Sequence, residues 1–220
     1  MEHYLTNRIL SYLMDWFQGT YEEYHKERYA FLIKVMRRYN PKKVLLLAPK
    51  TERELIRKEF PGIEIHSIGL EEAEDTENYY LHNLNEAYDL PVKDFDMVIA
   101  CEIIEHLKGN PKCFVRNMRK HGKYALVTTP NAFCMWYRIS PLLGWKTPWE
   151  LVARDPEDYM GHVYEYTIKD VESWGTVDYL AVRNYFGLWV RDVKHWFFRE
   201  IGKFFPESWR DGITVVFRQS

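Results

Sequence analysis

The chain has few cysteines and no long apolar run, and these absences exclude several classes of protein. Its three cysteines, Cys101, Cys113 and Cys134, are odd in number and form no CxxC pair. The sequence therefore indicates neither a disulfide framework nor a zinc finger. No apolar segment approaches the roughly 20 residues of a membrane-spanning helix, and the first residues lack the apolar core of a signal peptide. These observations predict a reduced, cytoplasmic protein.

Charge of one sign is also lacking. Thirty Lys and Arg residues oppose 32 Asp and Glu residues, which leaves a net charge of −2 over 220 residues. A protein that binds nucleic acid through an overall basic field is therefore disfavoured, and a small-molecule acceptor or ligand is the preferred expectation. The length suits one α/β domain with an appendage.

Apolar runs of strand length alternate with helical segments through residue 130. The predicted strands are Val44–Ala48, Ile63–Ile68, Tyr79–Leu84, Phe95–Ala100 and Tyr124–Thr129. Between them, helices are predicted from Thr51 (N-cap, with Glu54 completing a capping box), from Glu102 to about Leu107, and from Pro111 to Lys120. This alternation is typical of a parallel sheet with helices on both faces, whose ligands lie at the carboxyl ends of the strands.

Three regions organise the rest of the chain. We expect an N-terminal helical cap over residues 1–40 and an α/β domain over 41–220, with an aromatic insertion over the cleft at 131–166. Beyond the insertion, the pattern predicts a helix from Ile168 to Trp174, a strand from Val177 to Tyr185, an amphipathic helix from Trp189 to Phe204 and a last strand from Gly212 to Gln219.

Glycine is missing where it would be most informative. The first predicted strand leads into its helix through "APKT", and no glycine occurs between Gly19 and Gly62. Cofactor sites of the strand–turn–helix kind usually place glycine here, because a bare backbone lets the ligand approach closely.

The most specific phrase in the chain is "LPVKDFDMVIACEIIEHL", from Leu90 to Leu107. It closely resembles the fourth-strand motif of class I S-adenosylmethionine (SAM)-dependent methyltransferases, particularly the ubiquinone-biosynthesis O-methyltransferase-like branch. "ALVTTPNAF", "GHVYEYT" and "FFPESWRDGITVVFRQ" resemble later segments of the same family in the same order, so the resemblance spans about residues 28–218. It implies a Rossmann-like α/β fold with a mostly parallel twisted sheet, helices on both faces, an antiparallel last strand, and SAM as cofactor.

The resemblance also implies where the cofactor lies, and the chain departs from the family there. Ala48, Pro49 and Lys50 stand where the family has an acidic residue and a Gly-x-Gly turn. Gly69 stands where an acid accepts hydrogen bonds from the ribose, and Glu71 replaces that acid only if the turn is longer. Asn83 matches the acid that meets adenine, and Cys101 and Glu102 follow the fourth strand.

Two histidines are the candidate catalytic bases. His106 closes the Glu102-x-x-Glu105-His106 motif, and His162 lies in "GHVYEYT". The first motif suits either an acid–base or a metal cluster, or simply a helix start with Glu102 at the positive end of the dipole. We predict no metal.

Acceptor contacts are expected from the segment after the fifth strand. Asn131, Trp136 and Tyr137 are the candidates for substrate binding. The alternatives are a strand stop with an Asx turn for Asn131 and plain packing for the aromatic residues.

Three functions remain open at this stage. The first is methyl transfer from SAM to an oxygen or nitrogen of an unidentified acceptor. The second is a non-catalytic binding or regulatory protein of the same fold that has lost SAM binding. The third is an enzyme that uses another ligand in the same crevice, for which Lys50 and a helix N-terminus suit an anion. A homo-oligomer or a protein partner is compatible with each.

Overall fold

A seven-stranded sheet forms the centre of the molecule. A computed structural model describes residues 28–49, 51–70, 78–85, 90, 92–139, 142, 162–183 and 202–219. The strands are β1 (Lys43–Leu47), β2 (Glu64–Gly69), β3 (Tyr79–Leu81), β4 (Phe95–Cys101), β5 (Gly122–Thr129), β6 (Val177–Val182) and β7 (Ile213–Arg218). Val44–Leu47 of β1 and Met97–Cys101 of β4 are continuous apolar runs, as expected for strands that are covered on both faces.

The strand order is β3-β2-β1-β4-β5-β7-β6. The first five strands are parallel to their neighbours, and β7 runs antiparallel to both β5 and β6. The order reverses between β1 and β4, and open sheets of this kind form a crevice at the carboxyl ends of the strands next to the reversal. The predicted Rossmann-like fold with an antiparallel last strand is confirmed.

The helices of the described residues are α1 (28–39), α2 (Glu52–Glu59), α3 (Pro111–His121), α4 (Met135–Ile139) and α5 (Ile168–Glu172). Two of them begin with side-chain caps. The Asn110 side chain accepts a hydrogen bond from the N–H of Lys112, and Thr167 forms a capping box with Asp170. Such caps satisfy donors at the helix start that would otherwise lack partners. No helix in the described part of the chain is long and apolar enough to span a membrane.

Each face of the sheet is covered by its own helices. α1 and α2 pack Leu32, Val35, Met36 and Ile56 against Val44, Leu46, Met97 and Ile99 on one face. α3 and α5 cover the other face with Phe114, Val115, Met118 and Val171 against Leu45, Leu47, Val98 and Val127. α1 thus packs against the sheet as part of the hydrophobic core. The boundary expected between a helical cap (1–40) and the α/β domain (41–220) stays a prediction.

Several sequence predictions are corrected. The segment from Glu102 to Leu107 forms only one 3₁₀ turn, Ile104–His106, because Glu102 leaves β4 with a positive φ of 54° and delays the turn. Thr51 makes no capping bond to α2, since its hydroxyl bonds to Tyr29. The strands predicted from Tyr79 and from Val177 are shorter, and α5 ends at Glu172. The helix predicted from Trp189 to Phe204 lies largely outside the described residues, as do residues 1–27.

Gly212 allows a buried arginine to lie against the backbone. Its φ is +38°, and a Cβ at this position would overlap with the guanidinium of Arg183. Arg183 is 1% exposed, and its Nη2 lies 3.8 Å from Oε1 of Glu102 and 4.0 Å from Oδ2 of Asp211. The start of β7 is thereby coupled to the end of β4.

Replacing Gly212 with alanine should therefore destabilise the fold through two effects. The left-handed backbone is strained for alanine, and the displaced guanidinium leaves buried carboxylates without their partner. We expect the free energy of unfolding in urea to fall by about 3 kcal/mol or more. Gly62→Ala is the matched control, because Gly62 also has positive φ but no atom within 4 Å of the added Cβ. The control should lose only about 1–2 kcal/mol, and equal losses would contradict the contact with Arg183.

Candidate functional site

The turn after β1 keeps the backbone shape of a glycine turn without containing glycine. Ala48 has a φ of 43°, in the left-handed region that glycine adopts at lower cost, and its N–H donates to the carbonyl of Ile68 at 2.6 Å. The hydroxyls of Tyr29 and Thr51 then hydrogen-bond to each other across the turn. Pro49 is half-buried beside Ala48, and Lys50 lies outside the described residues.

A buried ion pair lies behind this turn. Nη2 of Arg28 donates to Oε1 of Glu52 at 2.8 Å, and the two side chains are 6% and 5% exposed. Burial opposes the charge on Arg28, but the negative charges of nearby acids, Glu102 first and Glu52 after it, outweigh this effect and raise the pKa of the guanidinium. Arg28 therefore faces the ends of both β1 and β4. Its Nε is buried and has no acceptor among the described residues.

The end of β2 is occupied by a tyrosine. A Cβ added to Gly69 would overlap with the hydroxyl of Tyr79, which comes from the neighbouring β3. An aspartate or glutamate is therefore sterically excluded at this position unless Tyr79 moves. Arg53 lies on the same face, where its Nη1 donates to Oγ of Ser67 at 2.9 Å. Glu71 falls outside the described residues.

Two further predicted cofactor contacts have defined roles in the fold. Oδ1 of Asn83 accepts a hydrogen bond from the N–H of Asn85 at 3.0 Å. Burial, followed by the charge of Glu52, raises the pKa of the Cys101 thiol far above its ordinary value. Cys101 is accordingly a neutral thiol and not a nucleophile.

Glu102 is held in its ionised form. Although burial disfavours its charge, Arg183 and then Arg28 lower the pKa of the carboxyl, helped by a hydrogen bond from the hydroxyl of Thr128 at 2.8 Å. The side chain is 14% exposed. The positive φ of Glu102 turns the chain so that Glu105 and His106 follow directly at the end of the sheet.

Glu105, His106 and His162 converge next to Glu102. One potential ligand atom from each lies within 4.8 Å of those of the other two, and the two imidazole rings are 4.9 Å apart between centroids. Glu105 is 1% exposed; Oε2 accepts from the hydroxyl of Thr129 at 3.2 Å, and Oε1 is buried with no partner in the described residues. We call these three residues the Glu–His cluster.

The segment after residue 161 is fastened to this cluster. The N–H groups of Val163 and Tyr164 donate to the carbonyl of Glu105 at 2.7 and 3.2 Å. Nδ1 of His162 donates to Oε1 of Glu165 at 2.7 Å, which orients the imidazole. Burial, and next the charge of Glu102, raise the pKa of Glu105, and Glu165 adds to this effect. The raised pKa means that the Glu105 carboxyl favours its neutral form at this buried position.

The structure describes the three predicted substrate contacts to different extents. Nδ2 of Asn131 donates to the carbonyls of Ser208 and Arg210, and Oδ1 accepts from the N–H of Phe133. Both amide hydrogens are used, so Asn131 stops the strand in an Asx turn, which is the alternative named above. Trp136 and Tyr137 lie in α4; Tyr137 is half-buried, and the side chain of Trp136 lies outside the description.

Sequence reasoning missed the residues that come to the site from distant segments. Arg28, Tyr79 and Arg183 carry no motif, because each reaches the crevice from another element. Glu165 had a usable signal, since a carboxylate three residues after His162 is well placed to orient it. The pairing of Arg28 with Glu52 across 24 residues had none.

Comparison with solved structures identifies the fold. The chain is similar to the methyltransferase domain of bacterial CtHen1-CN, with a TM-score of 0.53 and 16% identity over 88% of this chain and 98% of that one. A SAM-dependent methyltransferase from Clostridium acetobutylicum ATCC 824 matches with a TM-score of 0.53 and 13% identity over 89% and 92% of the chains. A SAM-dependent methyltransferase from Archaeoglobus fulgidus matches with a TM-score of 0.51 and 16% identity over 86% and 94%.

No protein-family model matches the chain, and no curated protein matches it by sequence. At these identities the similarity shows the fold alone, which is that of the class I SAM-dependent methyltransferases. The chemistry of the crevice has to be argued from the residues of this chain.

The residues of the crevice fit SAM at one end and depart from the family at the other. Arg28 offers a buried guanidinium with an unused N–H beside the β1 turn, which suits the carboxylate of a methionine moiety. At the end of β2 the usual ribose acceptor is replaced by the hydroxyl of Tyr79. A phenol accepts and donates hydrogen bonds, so a ribose hydroxyl still finds a partner there, although a weaker one.

The Arg28–Glu52 pair gives a direct test of the turn. Glu52→Gln leaves the buried guanidinium without its closest partner, and we expect a loss of about 3–5 kcal/mol in the free energy of unfolding. The double variant Arg28→Met, Glu52→Leu should lose less than Glu52→Gln. As a matched control, Glu59→Gln breaks the exposed pair with Arg37, whose side chains are 66% and 31% exposed, at a cost of 1 kcal/mol or less by typical values. Similar losses in Glu52→Gln and Glu59→Gln would contradict a buried pair.

Proposed function

We propose that the chain is a SAM-dependent methyltransferase-like enzyme that transfers a methyl group to an oxygen or nitrogen of a small acceptor, assisted by a divalent cation. The observation that carries the proposal is the Glu–His cluster at the carboxyl end of β4, with a partnerless carboxylate oxygen in its midst. It lies on the side of the crevice where an acceptor would enter in the family resembled.

The cluster has the properties of a cation site. Buried carboxylates are normally paired with a cation or bound to a metal, and Oε1 of Glu105 has no such partner among the described residues. One carboxylate and two imidazoles form a ligand set that suits Mn²⁺, Fe²⁺ or Zn²⁺. A metal-binding histidine typically donates its second ring N–H to a carboxylate, as His162 does to Glu165. We therefore revise the sequence expectation of no metal.

Each part of the crevice would have a separate task. A divalent cation would supply a Lewis acid that polarises an acceptor hydroxyl. His106 and His162, expected as bases from sequence, would serve as its ligands. Glu102, held ionised by Arg183 and Arg28, would stabilise positive charge in the site.

The cofactor would be held by side chains at the ends of β1, β2 and β4. Arg28 would bind the carboxylate of its methionine moiety, the turn from Ala48 would lie beside it, and the hydroxyl of Tyr79 would meet the ribose. The side-chain oxygen of Asn83 would accept a hydrogen bond from the adenine amino group. When bound, SAM supplies a sulfonium methyl group for in-line attack, a reaction that depends mainly on alignment and the exclusion of water.

The narrower assignments remain proposals. The Glu102-x-x-Glu105-His106 motif and the segment from His162 favour the ubiquinone-biosynthesis O-methyltransferase-like branch. A small molecule is preferred over nucleic acid as acceptor because the chain lacks a basic excess. Three cysteines without a disulfide pattern support a cytoplasmic location.

One observation favours a second function. Tyr79 fills the space in which a ribose-binding acid would project, and Arg28 and Glu52 already neutralise each other at the β1 turn. A chain that had lost SAM binding would tolerate both changes. In that case the protein is a non-catalytic partner that keeps the fold as a binding scaffold.

Titration calorimetry with S-adenosylhomocysteine and SAM separates the two. We expect micromolar dissociation constants for the wild type and at least a tenfold weaker affinity for Arg28→Met, because the charge-assisted hydrogen bond to the ligand carboxylate is lost. Arg28→Lys should bind with intermediate affinity, and Arg37→Met, which removes an exposed cation, should bind like wild type. Circular dichroism checks that each variant is folded. The absence of heat with the wild type up to millimolar ligand, at two temperatures, would reject the enzyme and support the non-catalytic partner.

Manganese binding tests the Glu–His cluster without any acceptor. Electron paramagnetic resonance of free Mn²⁺ should show one bound ion per chain in the wild type. His162→Ala and Glu105→Gln should each weaken binding about tenfold or more, since each removes one ligand. His82→Ala removes a histidine outside the cluster and serves as the control. Equal Mn²⁺ affinity in all four proteins would show that the cluster holds no metal.

A further inference from the structure

We infer that the end of the sheet opposite the crevice carries a docking surface for an acidic polypeptide segment of a partner protein. Side chains from α1, β5, β6 and β7 form this surface, which we call the tyrosine–cation face: Arg38, Tyr39, Lys123, Tyr124, Tyr179 and Arg218. The inference goes beyond the proposed function, because the face is separate from both the cofactor crevice and the Glu–His cluster.

The face lies at the amino ends of the parallel strands. Tyr39 is the last residue of α1 before β1, and Lys123 and Tyr124 are near the start of β5. Arg218 closes β7, which runs antiparallel to β5, and it is paired with Tyr124 in the ladder. The crevice lies at the carboxyl ends of the same parallel strands, so the two sites are at opposite ends of the sheet.

The rings and the cations of the face contact each other in a continuous row. The ring centroids of Tyr39 and Tyr124 are 4.6 Å apart. The guanidinium carbon of Arg38 lies 5.0 Å from the ring centroid of Tyr179 and 5.8 Å from that of Tyr39. Nζ of Lys123 lies 5.4 Å from the ring centroid of Tyr124. All three rings are half-buried, so these cation–π contacts hold the long side chains against fixed supports.

The described residues give no carboxylate partner to three cations of this face. Arg38, Lys123 and Arg218 are exposed, and none of them forms an ion pair with the described part of the chain. The residue next to Arg38 differs in this respect, since Nη2 of Arg37 donates to Oε2 of Glu59 at 3.1 Å. The face therefore presents positive charges to which a carboxylate of another molecule can bind.

Asp178 shows how a carboxylate binds at this face. Its Oδ2 accepts a hydrogen bond from the hydroxyl of Tyr39 at 2.5 Å, and Asp178 itself is exposed. Burial, followed by this hydrogen bond, raises the pKa of Tyr39, so the phenol is a hydrogen-bond donor at neutral pH. The guanidinium of Arg38 lies beside the same ring and offers N–H donors in the fork geometry that suits a further carboxylate.

The distribution of charge favours an acidic polypeptide over a nucleic acid or a membrane. The three cations and Asp178 give the face a charge of +2, whereas the whole chain carries −2. The rest of the molecule is therefore net negative and repels an extended polyanion that reaches beyond the face. A short acidic segment avoids this repulsion, because charges more than about 10 Å away are largely screened. Tyrosine and arginine are also enriched among the residues that contribute most to protein–protein binding.

The test measures how a fluorescein-labelled octaglutamate peptide binds to the full chain, by fluorescence anisotropy at about 50 mM salt. We expect octaglutamate to bind at least tenfold more tightly than octaglutamine, with an affinity that falls as salt is added. Arg38→Glu and Lys123→Glu should each weaken binding about fivefold or more, because each removes an attraction and adds a repulsion. Asp178→Asn should strengthen binding, since it removes a negative charge from the face.

The matched control is Arg37→Glu, which makes the same change in net charge one residue away on α1, where the guanidinium pairs with Glu59. It should leave the affinity for octaglutamate within about twofold of the wild type. Arg38→Lys keeps the charge and should retain most of the binding. Circular dichroism checks that each variant is folded.

Other outcomes overturn the inference. Equal affinity for octaglutamate and octaglutamine shows that the face does not recognise acids, and equal weakening in Arg38→Glu and Arg37→Glu shows that only net charge matters. Tighter binding of an eight-nucleotide oligouridylate than of octaglutamate assigns the face to nucleic acid. Sedimentation with phosphatidylserine vesicles that is lost in Arg38→Glu assigns it to a membrane surface. Titrations with S-adenosylhomocysteine and Mn²⁺ report on the proposed function separately, so either proposal can fail alone.

Discussion

The structure depends on neutralising the charge of Glu102, the acid that directly follows β4. Glu102 experiences the charges of two guanidiniums, Arg28 from α1 and Arg183 from the segment after β6, and both lower its pKa against the effect of burial. An unpaired charge in this position would cost several kcal/mol. Side chains from α1 and from the segment after β6 therefore both stabilise the charge of Glu102 at the crevice.

This arrangement explains how the turn after β1 manages without glycine. Ala48 keeps the left-handed backbone that a glycine would adopt, and side chains from α1 close the space above it. At the end of β2 the opposite exchange is found. A Cβ at Gly69 would overlap with the hydroxyl of Tyr79 in its present position. The turn after β1 thus has side chains where glycine is usual, and the end of β2 has glycine where a side chain is usual. The groups that a ligand in the crevice would contact change accordingly.

How much of the structure the sequence could predict depends on how far apart in the chain the interacting residues lie. β1, β4 and β5 were predictable because buried parallel strands are continuous apolar runs, and the motif from Glu102 to His106 was visible because its residues are adjacent. The short 3₁₀ turn was not predictable, since it depends on one positive φ at Glu102. Arg28, Tyr79 and Arg183 escaped because their partners lie on other elements. The convergence of His162 with Glu105 likewise required the segment after residue 161 to be placed.

The way in which α1 closes the β1 turn has a consequence for the order of folding. A glycine turn is a local structure that forms as soon as its own few residues adopt it. Here the closing contacts join residues 22 and 24 positions apart, from Tyr29 to Thr51 and from Arg28 to Glu52. Loop closure of that span carries an entropic cost that only docking of α1 on the sheet offsets. The crevice thus acquires its shape late, after the hydrophobic face of α1 has found β1 and β4.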